Sequence, residues 1–305
     1  MNESSPLLVI VGPTASGKTE LAVRLAEQCG GEIVSADSVQ VYRRFDIGTG
    51  KPSAEQRARA PHHLIDCLDP LEPMDAARWA ERAEHALAEI SARGKIPIVC
   101  GGSFLWIKAL LYGLVPAPPA NEALRQRHRE IAEAEGRGAL HAELSRLDPE
   151  SAQRLAPNDL VRVSRALEVL ELSGVPLSHW HARHGFRQAR HRARLIGIAP
   201  PPTELDRRIA ERVEAMLAAG WVEEVRSLLA SGYSAARAMS SVGYRQITLA
   251  LQREPGLVAA QDRDEIRRKT RVFARRQRTW LRDATVHWLP APDLNHSQLA
   301  DIIAS

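Results

Sequence analysis

The sequence predicts an α/β protein, a parallel sheet flanked by helices and interrupted by an all-helical insertion. Three observations carry that prediction. The apolar run LLVIV at 7–11 leads straight into GPTASGKT at 12–19, which has the G-x-x-x-x-G-K-T spacing of a phosphate-binding loop between a strand and a helix. Two more short apolar runs, within EIVSADS at 32–38 and KIPIVCGGS at 95–103, end in glycine, hydroxyl or carboxylate residues. Strands of a doubly wound sheet end that way because ligands bind at their C-terminal edge. The third observation is a long stretch from 115 to 185 with helical periodicity only, opened by the proline-rich VPAPPA.

Taken in chain order, residues 7–11 form a buried strand, and Thr19 to Cys29 forms an amphipathic helix. Leu21 and Leu25 share one face of it, and Gly30-Gly31 stops it. Strands follow within 32–38 and 95–103. Asp148-Pro149 and Asn158-Asp159 read as helix starts in the insertion, and Gly174 with Pro176 reads as a stop. ARLIGIAP returns the chain to strand, and long helices and the short strand TVHWL close it. The domain reading is therefore a P-loop NTPase-like core from 1–114 and 186–305, with a helical insertion at 115–185. The His- and Arg-rich stretch near 180–193 reads as a linker.

Bulk properties narrow the class. The chain has 305 residues, 44% of them apolar and 26% charged, which suits a globular protein with a large core. No apolar run approaches the roughly 20 residues of a membrane span, and a cytoplasmic location is expected. Cys29, Cys67 and Cys100 contain no C-x-x-C pair and read as reduced thiols. Net charge is only +4, but RRKTRVFARRQRTWLR at 267–282 holds far more than its share of the arginines. Such an asymmetry points to a polyanionic partner.

In the loop Gly12, Pro13, Thr14, Ala15, Ser16, Gly17, Lys18 and Thr19, backbone N–H groups turn onto phosphate oxygens, and the following helix adds its positive end. Lys18 reaches the terminal phosphates, and the Thr19 hydroxyl suits Mg²⁺. Parts for cleaving a β–γ bond are thin. The GTPase signatures D-x-x-G and N-K-x-D are absent, and the nearest substitute for an ATPase strand ending in Asp is HHLID, ending at Asp66. Asp37 falls where the second strand ends, beside the loop. There it accepts a proton from a nucleophile or holds a metal-bound water, or else, with Ser38, it caps a helix. His62 and His63 lack partners at metal-ligand spacing and read as structural.

GPTASGKT, SADSVQVYRRFDIGTGKP, PHHLIDCLDPLEP, GGSFLW, NDLVRVSRALEVLELSGVPLS, MLAAGWVEEV, SSVGYRQI and TRVFARRQRTWLR occur in that order. Together they resemble the tRNA dimethylallyltransferase (isopentenyltransferase) family over nearly the whole chain. The resemblance implies that the loop holds the diphosphate of dimethylallyl diphosphate and that no phosphoryl group moves. N6 of the adenosine just 3′ of the anticodon would attack the allylic carbon, with Asp37 taking its proton and diphosphate departing. Mg²⁺ and Lys18 would stabilise the leaving group. GGSFLW departs from the family's G-G-T followed, after two intervening residues, by Tyr: Ser103 keeps the hydroxyl and Trp106 an aromatic face.

The same resemblance sets the partners and their contacts. The tRNA anticodon arm would place its flipped adenosine among Asp37, Ser38, Val39, Gln40 and Ser103. Arg125, Arg162 and Arg165 of the insertion would grip RNA. The turn Ser240, Ser241, Val242, Gly243, Tyr244 and Arg245 suits stacking on an unpaired base. Arg275, Arg276, Gln277, Arg278 and Arg282 would follow the phosphate backbone, and Arg208 is assigned to the diphosphate. On the last long helix, Ile266, Phe273, Gln277 and Trp280 recur near one face and the arginines on another. A monomer is expected. Two rivals stand beside this reading: a small-molecule kinase, which would turn over ATP without needing a basic face, and a non-catalytic RNA-binding protein.

Overall fold

In a computed structural model the described residues are 6–186, 188–254, 258–282, 284–290 and 294–304. The chain divides into two compact units, Met1–Leu111 with Arg190–Ser305, and Tyr112–Ala189.

The first unit is built on six parallel strands: β1 (Leu7–Val11), β2 (Glu32–Ala36), β3 (His62–His63), β4 (Pro97–Gly101), β5 (Ala193–Ile198) and β6 (Val286–Leu289). Their spatial order is β3-β2-β4-β1-β5-β6. β1 is buried throughout, as an unalternating LLVIV requires when helices cover both faces of a parallel sheet. The register decides the site. Val11 lies opposite Gly101, and Gly101 lies opposite Ala36. The last residues of β1, β4 and β2 are thus level, and the three loops that follow them emerge side by side. Glycine is required at 101, since a Cβ there would stand 2.1 Å from the Ala36 carbonyl oxygen.

Behind the sheet, the helix Lys18–Cys29 buries Leu21, Ala22, Val23, Leu25 and Ala26 against β1 and β4 neighbours such as Ile10 and Ile98. It ends at Gly30, whose φ of 62° is the left-handed conformation that glycine adopts without cost. The helix Ala260–Trp280 buries Ile266, Ala274 and Gln277. Phe273 and Trp280, expected on that inward face, are exposed instead. The apolar stripe is narrower than the sequence implies, because a small alanine and an amide occupy the inward positions.

The second unit is all helical: Glu122–Ala134, Arg137–Leu147, Pro149–Arg154, Leu160–Ser173 and Leu177–His184. Leu140, Leu144, Ala152, Val163, Ala166 and Leu167 form its core. Asp148 caps Pro149–Arg154 by accepting from Ser151 N at 3.1 Å, Asp159 caps Leu160–Ser173, and Gly174 closes the latter at φ 68°. The His- and Arg-rich stretch read as a linker is helical as far as His184; its Arg187 lies outside the described residues.

Candidate functional site

The three level loops open onto a cavity of about 350 Å³ at the C-terminal edge of the sheet. Thr14, Lys18 and Thr19 of the phosphate loop line it, as do Asp37 to Gln40 from the end of β2 and Ser103 from the end of β4. Much of its wall is apolar, including Ala22, Ile33, Ile65 and Val213. Ser240, Ser241, Val242 and Phe273 lie along it from elements late in the chain.

Lys18 donates to the Pro13 carbonyl at 3.3 Å. Burial drives its pKa down, and the Asp37 carboxylate partly restores it. The neighbouring Cys100 thiol is pushed up to about 12 by burial. It is therefore uncharged at neutral pH, and Asp37 is the anion that Lys18 feels. Ser16 Oγ, fully buried in the same loop, has no hydrogen-bond partner among the described residues.

Asp37 caps a turn rather than a helix, and only one of its oxygens is used for it. Its Oδ1 caps the turn, accepting from Val39 N at 2.9 Å and Gln40 N at 3.3 Å. Its Oδ2 makes no hydrogen bond among the described residues and is available to a ligand. Ser103 ties the loops together: its N–H donates to the Ala36 carbonyl at 3.0 Å, and its hydroxyl accepts from Ser38 N at 3.0 Å. The hydroxyl proton is left to donate into the cavity.

Gln40 borders the cavity, but its amide is committed internally. Oε1 accepts from Ser35 Oγ at 3.3 Å, and Nε2 donates to Thr49 and Gly50 carbonyls at 3.3 and 3.1 Å. It holds the 48–50 loop in place. The same loop is held from the other side by Glu224, which accepts from Asp46 N at 2.8 Å, Ile47 N at 2.7 Å and Gly48 N at 3.3 Å. Trp221, one turn before Glu224, packs so closely on Gly48 and Gly243 that a Cβ on either would come within 1.9 Å of its ring.

Arg212 was not singled out for the site by the sequence, yet it lines the cavity one helical turn beyond Arg208. It has no hydrogen-bond or ion-pair partner among the described residues. Burial lowers its pKa, and Asp37 offsets that in part. The 3.6-residue period was the available signal, since 208 and 212 share a face and only contact geometry separates them. Arg208 lies behind the loop, donating to the Ser16 carbonyl at 3.3 Å and to Glu204 at 2.7 Å. His62 also lines the cavity, with Nδ1 2.8 Å from the Ala60 carbonyl, whereas His63 pairs with Glu32 at 2.6 Å.

Several side chains stand elsewhere than expected. Tyr244 is fully buried against Phe45 and Trp221, so it is not a stacking surface for a base. Trp106 is a core residue stacked on Trp79 at 5.4 Å. Asp66 is spent on Lys51 and on Arg57, the latter at 3.0 Å, which removes it as an ATPase carboxylate. Gln277 is buried, with Thr14 N donating to its Oε1 at 2.8 Å and its Nε2 donating to the Gly102 carbonyl at 3.2 Å. In the second unit, Arg125 (3.0 Å) and Arg165 (2.7 Å) both bind the fully buried Glu168, and Arg162 is 3.5 Å from Asp159.

Arg271, Arg275, Arg276 and Arg278 have no side-chain partner among the described residues, and the last three are exposed. Arg245 is exposed as well, and so is Arg282 beyond the helix end. No helix of the described residues is long and apolar enough to cross a membrane. Cys29, Cys67 and Cys100 are free thiols.

The IPP transferase family matches residues 40–284. A tRNA dimethylallyltransferase of Sorangium cellulosum is 62% identical over 286 residues, covering 94% of this chain and 90% of its own. One from Geobacter sulfurreducens is 48% identical, covering 94% and 92%. Among solved structures, a tRNA isopentenylpyrophosphate transferase from Bacillus halodurans superposes with a TM-score of 0.71 at 33% identity, covering 98% of this chain and 94% of that one. A eukaryotic dimethylallyltransferase acting on tRNA gives a TM-score of 0.76 at 26% identity, covering 97% and 78%.

Proposed function

The chain belongs to the IPP transferase family, and from that premise we propose how its cavity works as the active site of a tRNA dimethylallyltransferase. The reaction moves a dimethylallyl group from dimethylallyl diphosphate to N6 of the adenosine 3′-adjacent to the anticodon. The N6 lone pair forms the new bond to the allylic carbon, the carbon–oxygen bond to diphosphate breaks, and one N6 proton is lost. Asp37 Oδ2 receives that proton.

The observation that carries this reading is the charge layout of one cavity. Two desolvated cations, Lys18 and Arg212, face a single free carboxylate oxygen beside apolar walls. The cations suit a diphosphate whose charge grows as it leaves, the apolar walls suit a prenyl chain, and the carboxylate suits an amine nucleophile. The Ser103 hydroxyl is placed to donate to the leaving oxygen or to the target base. A kinase reading lacks this support, because Asp66 is consumed by Lys51 and Arg57.

The donors fit Mg²⁺ of the substrate-borne kind. The Thr19 hydroxyl lines the cavity, and no group of three metal-binding side chains occurs among the described residues. Such an ion relies on substrate phosphates with one or two protein oxygens, and when bound it would neutralise leaving-group charge. The exposed arginines of Ala260–Trp280, with Arg245 and Arg282, provide a face for tRNA phosphates. Phe273, exposed at the cavity edge, replaces Tyr244 as the aromatic available to a base.

The test is incubation with labelled dimethylallyl diphosphate, Mg²⁺ and unmodified tRNA. Label in RNA at the adenosine beside the anticodon is expected. ATP turnover with no label in RNA would point to the kinase, and tRNA binding without label to a binding protein.

A further inference from the structure

We infer that Gln277 is a positioning residue for the phosphate loop and not a contact to tRNA; this rests on reading that loop as the diphosphate seat. Gln277 sits among exposed arginines in the sequence, yet it is buried at the border of the cavity with its amide committed to the protein. It accepts from Thr14 N at 2.8 Å and donates to the Gly102 carbonyl at 3.2 Å, so it joins the loops after β1 and β4. The fit is close: a Cβ on Gly102 would stand 2.2 Å from Gln277 Nε2.

The neighbouring contacts extend the brace along the loop. Ala274, one turn earlier on the same buried face, belongs with Leu205 and Ile209 to a small apolar cluster against which Ala15 packs. Arg208 donates to the Ser16 carbonyl at 3.3 Å, its guanidinium held by Glu204. Three consecutive loop residues, 14 to 16, are thus each held by residues from late in the chain. Ala15 needs this, because its φ of 63° is left-handed, a conformation that costs a non-glycine residue energy and persists only where its surroundings impose it. A loop held in its strained shape before substrate arrives presents its phosphate-facing amides without reorganisation.

Gln277→Met keeps the length of the side chain and removes both hydrogen bonds. It leaves Thr14 N–H and the Gly102 carbonyl without partners, a penalty that corresponds to about tenfold or more in loop function. Binding of inorganic diphosphate in Mg²⁺ buffer should weaken by that factor, and KM for dimethylallyl diphosphate should rise with it. The dissociation constant for tRNA should stay within about twofold, with an unchanged salt dependence.

Gln277→Glu supplies a second reading and guards against a variant that merely fails to fold. An ionised carboxylate still accepts from Thr14 N–H but repels the Gly102 carbonyl, whereas a protonated one both accepts and donates. Its diphosphate affinity relative to wild type should therefore recover as pH falls. Loss of tRNA affinity with diphosphate binding intact would overturn the inference. So would diphosphate binding unchanged in Gln277→Met, or a Gln277→Glu deficit that pH does not move. Wild-type protein that takes up no diphosphate would instead retire the diphosphate seat, and this inference with it.

Discussion

Two arginine-rich helices invite comparison, the insertion helix Leu160–Ser173 and the C-terminal helix Ala260–Trp280. In the insertion, Arg165 and its neighbour Arg125 converge on Glu168, a carboxylate with no solvent exposure that also accepts from Asn121 N. In the first half of the C-terminal helix the pattern repeats at the surface, with Arg267 on Glu214 and Asp264 and Arg268 on Glu265. From Arg271 to Arg278 it stops, and four arginines have no carboxylate among the described residues. Arginine count is therefore a poor guide to polyanion binding. What matters is whether the chain's own carboxylates already occupy the guanidinium groups.

The largest expected effect separates chemistry from grip. Asp37→Asn should cut prenyl transfer by about two to four orders of magnitude, the usual worth of a general base. Affinity for tRNA should stay nearly intact and its salt dependence unchanged, since neither arginine group involves Asp37. Single-turnover rates with saturating tRNA check this, and near-normal turnover would remove Asp37 from the mechanism.

Next comes Glu168→Ala, which strips both insertion arginines of their shared partner. Breaking a buried ion pair costs about 3–5 kcal/mol. Arg125 and Arg165 reach water in part, so about 2–3 kcal/mol is expected here, read by denaturant unfolding of the variant. The same carboxylate predicts an acid response. Burial alone would raise the Glu168 pKa, but its hydrogen bonds to Arg125 and Arg165 bring it below the ordinary glutamate value. A depressed folded pKa stabilises the fold above the unfolded value of about 4.5, and that stabilisation is lost as pH falls through the folded value. Wild type should lose more stability than Glu168→Ala between about pH 5 and pH 3.

Replacing Arg275 and Arg278 together by Ala should weaken all tRNAs about equally, by roughly tenfold at moderate salt. The log–log salt slope should flatten by on the order of one unit for each phosphate that the variant no longer neutralises. The choice of target adenosine should survive, because neither arginine lines the cavity. An unchanged slope would leave this helix a solvated structural element.

The smallest effect belongs to Arg125→Ala. Its guanidinium is occupied by Glu168, so the salt slope should stay as in wild type and the change should appear in stability. A slope that flattened as much as in the C-terminal double variant would erase the contrast between the two helices.

Much of this molecule is legible in its sequence because the signals are local. The run LLVIV, the spacing of GPTASGKT, the stop at Gly30 and the caps Asp148 and Asp159 act through backbone geometry within a few residues. They yield the parallel sheet, the phosphate loop, the ends of the helices Lys18–Cys29 and Leu160–Ser173 and the start of Pro149–Arg154. Asp37, Lys18 and Ser103 are identifiable too, since each lies within two residues of a strand end or inside the loop motif.

What only the tertiary structure decided is which way a polar side chain faces and what meets it there. Arg208 carries the residue type of a ligand contact but stands behind the loop, and Gln277 borders the cavity with its amide spent on Thr14 N and the Gly102 carbonyl, while Arg212, one turn from Arg208, enters the cavity. Tyr244 belongs to the core and Phe273 to the cavity edge, the reverse of what their motifs suggested. Helical period fixes relative directions along one helix. The absolute direction depends on partners distant in sequence, as Thr14 is from Gln277, 263 residues away. Such partners meet only once the register of β1, β2 and β4 has brought their loops level.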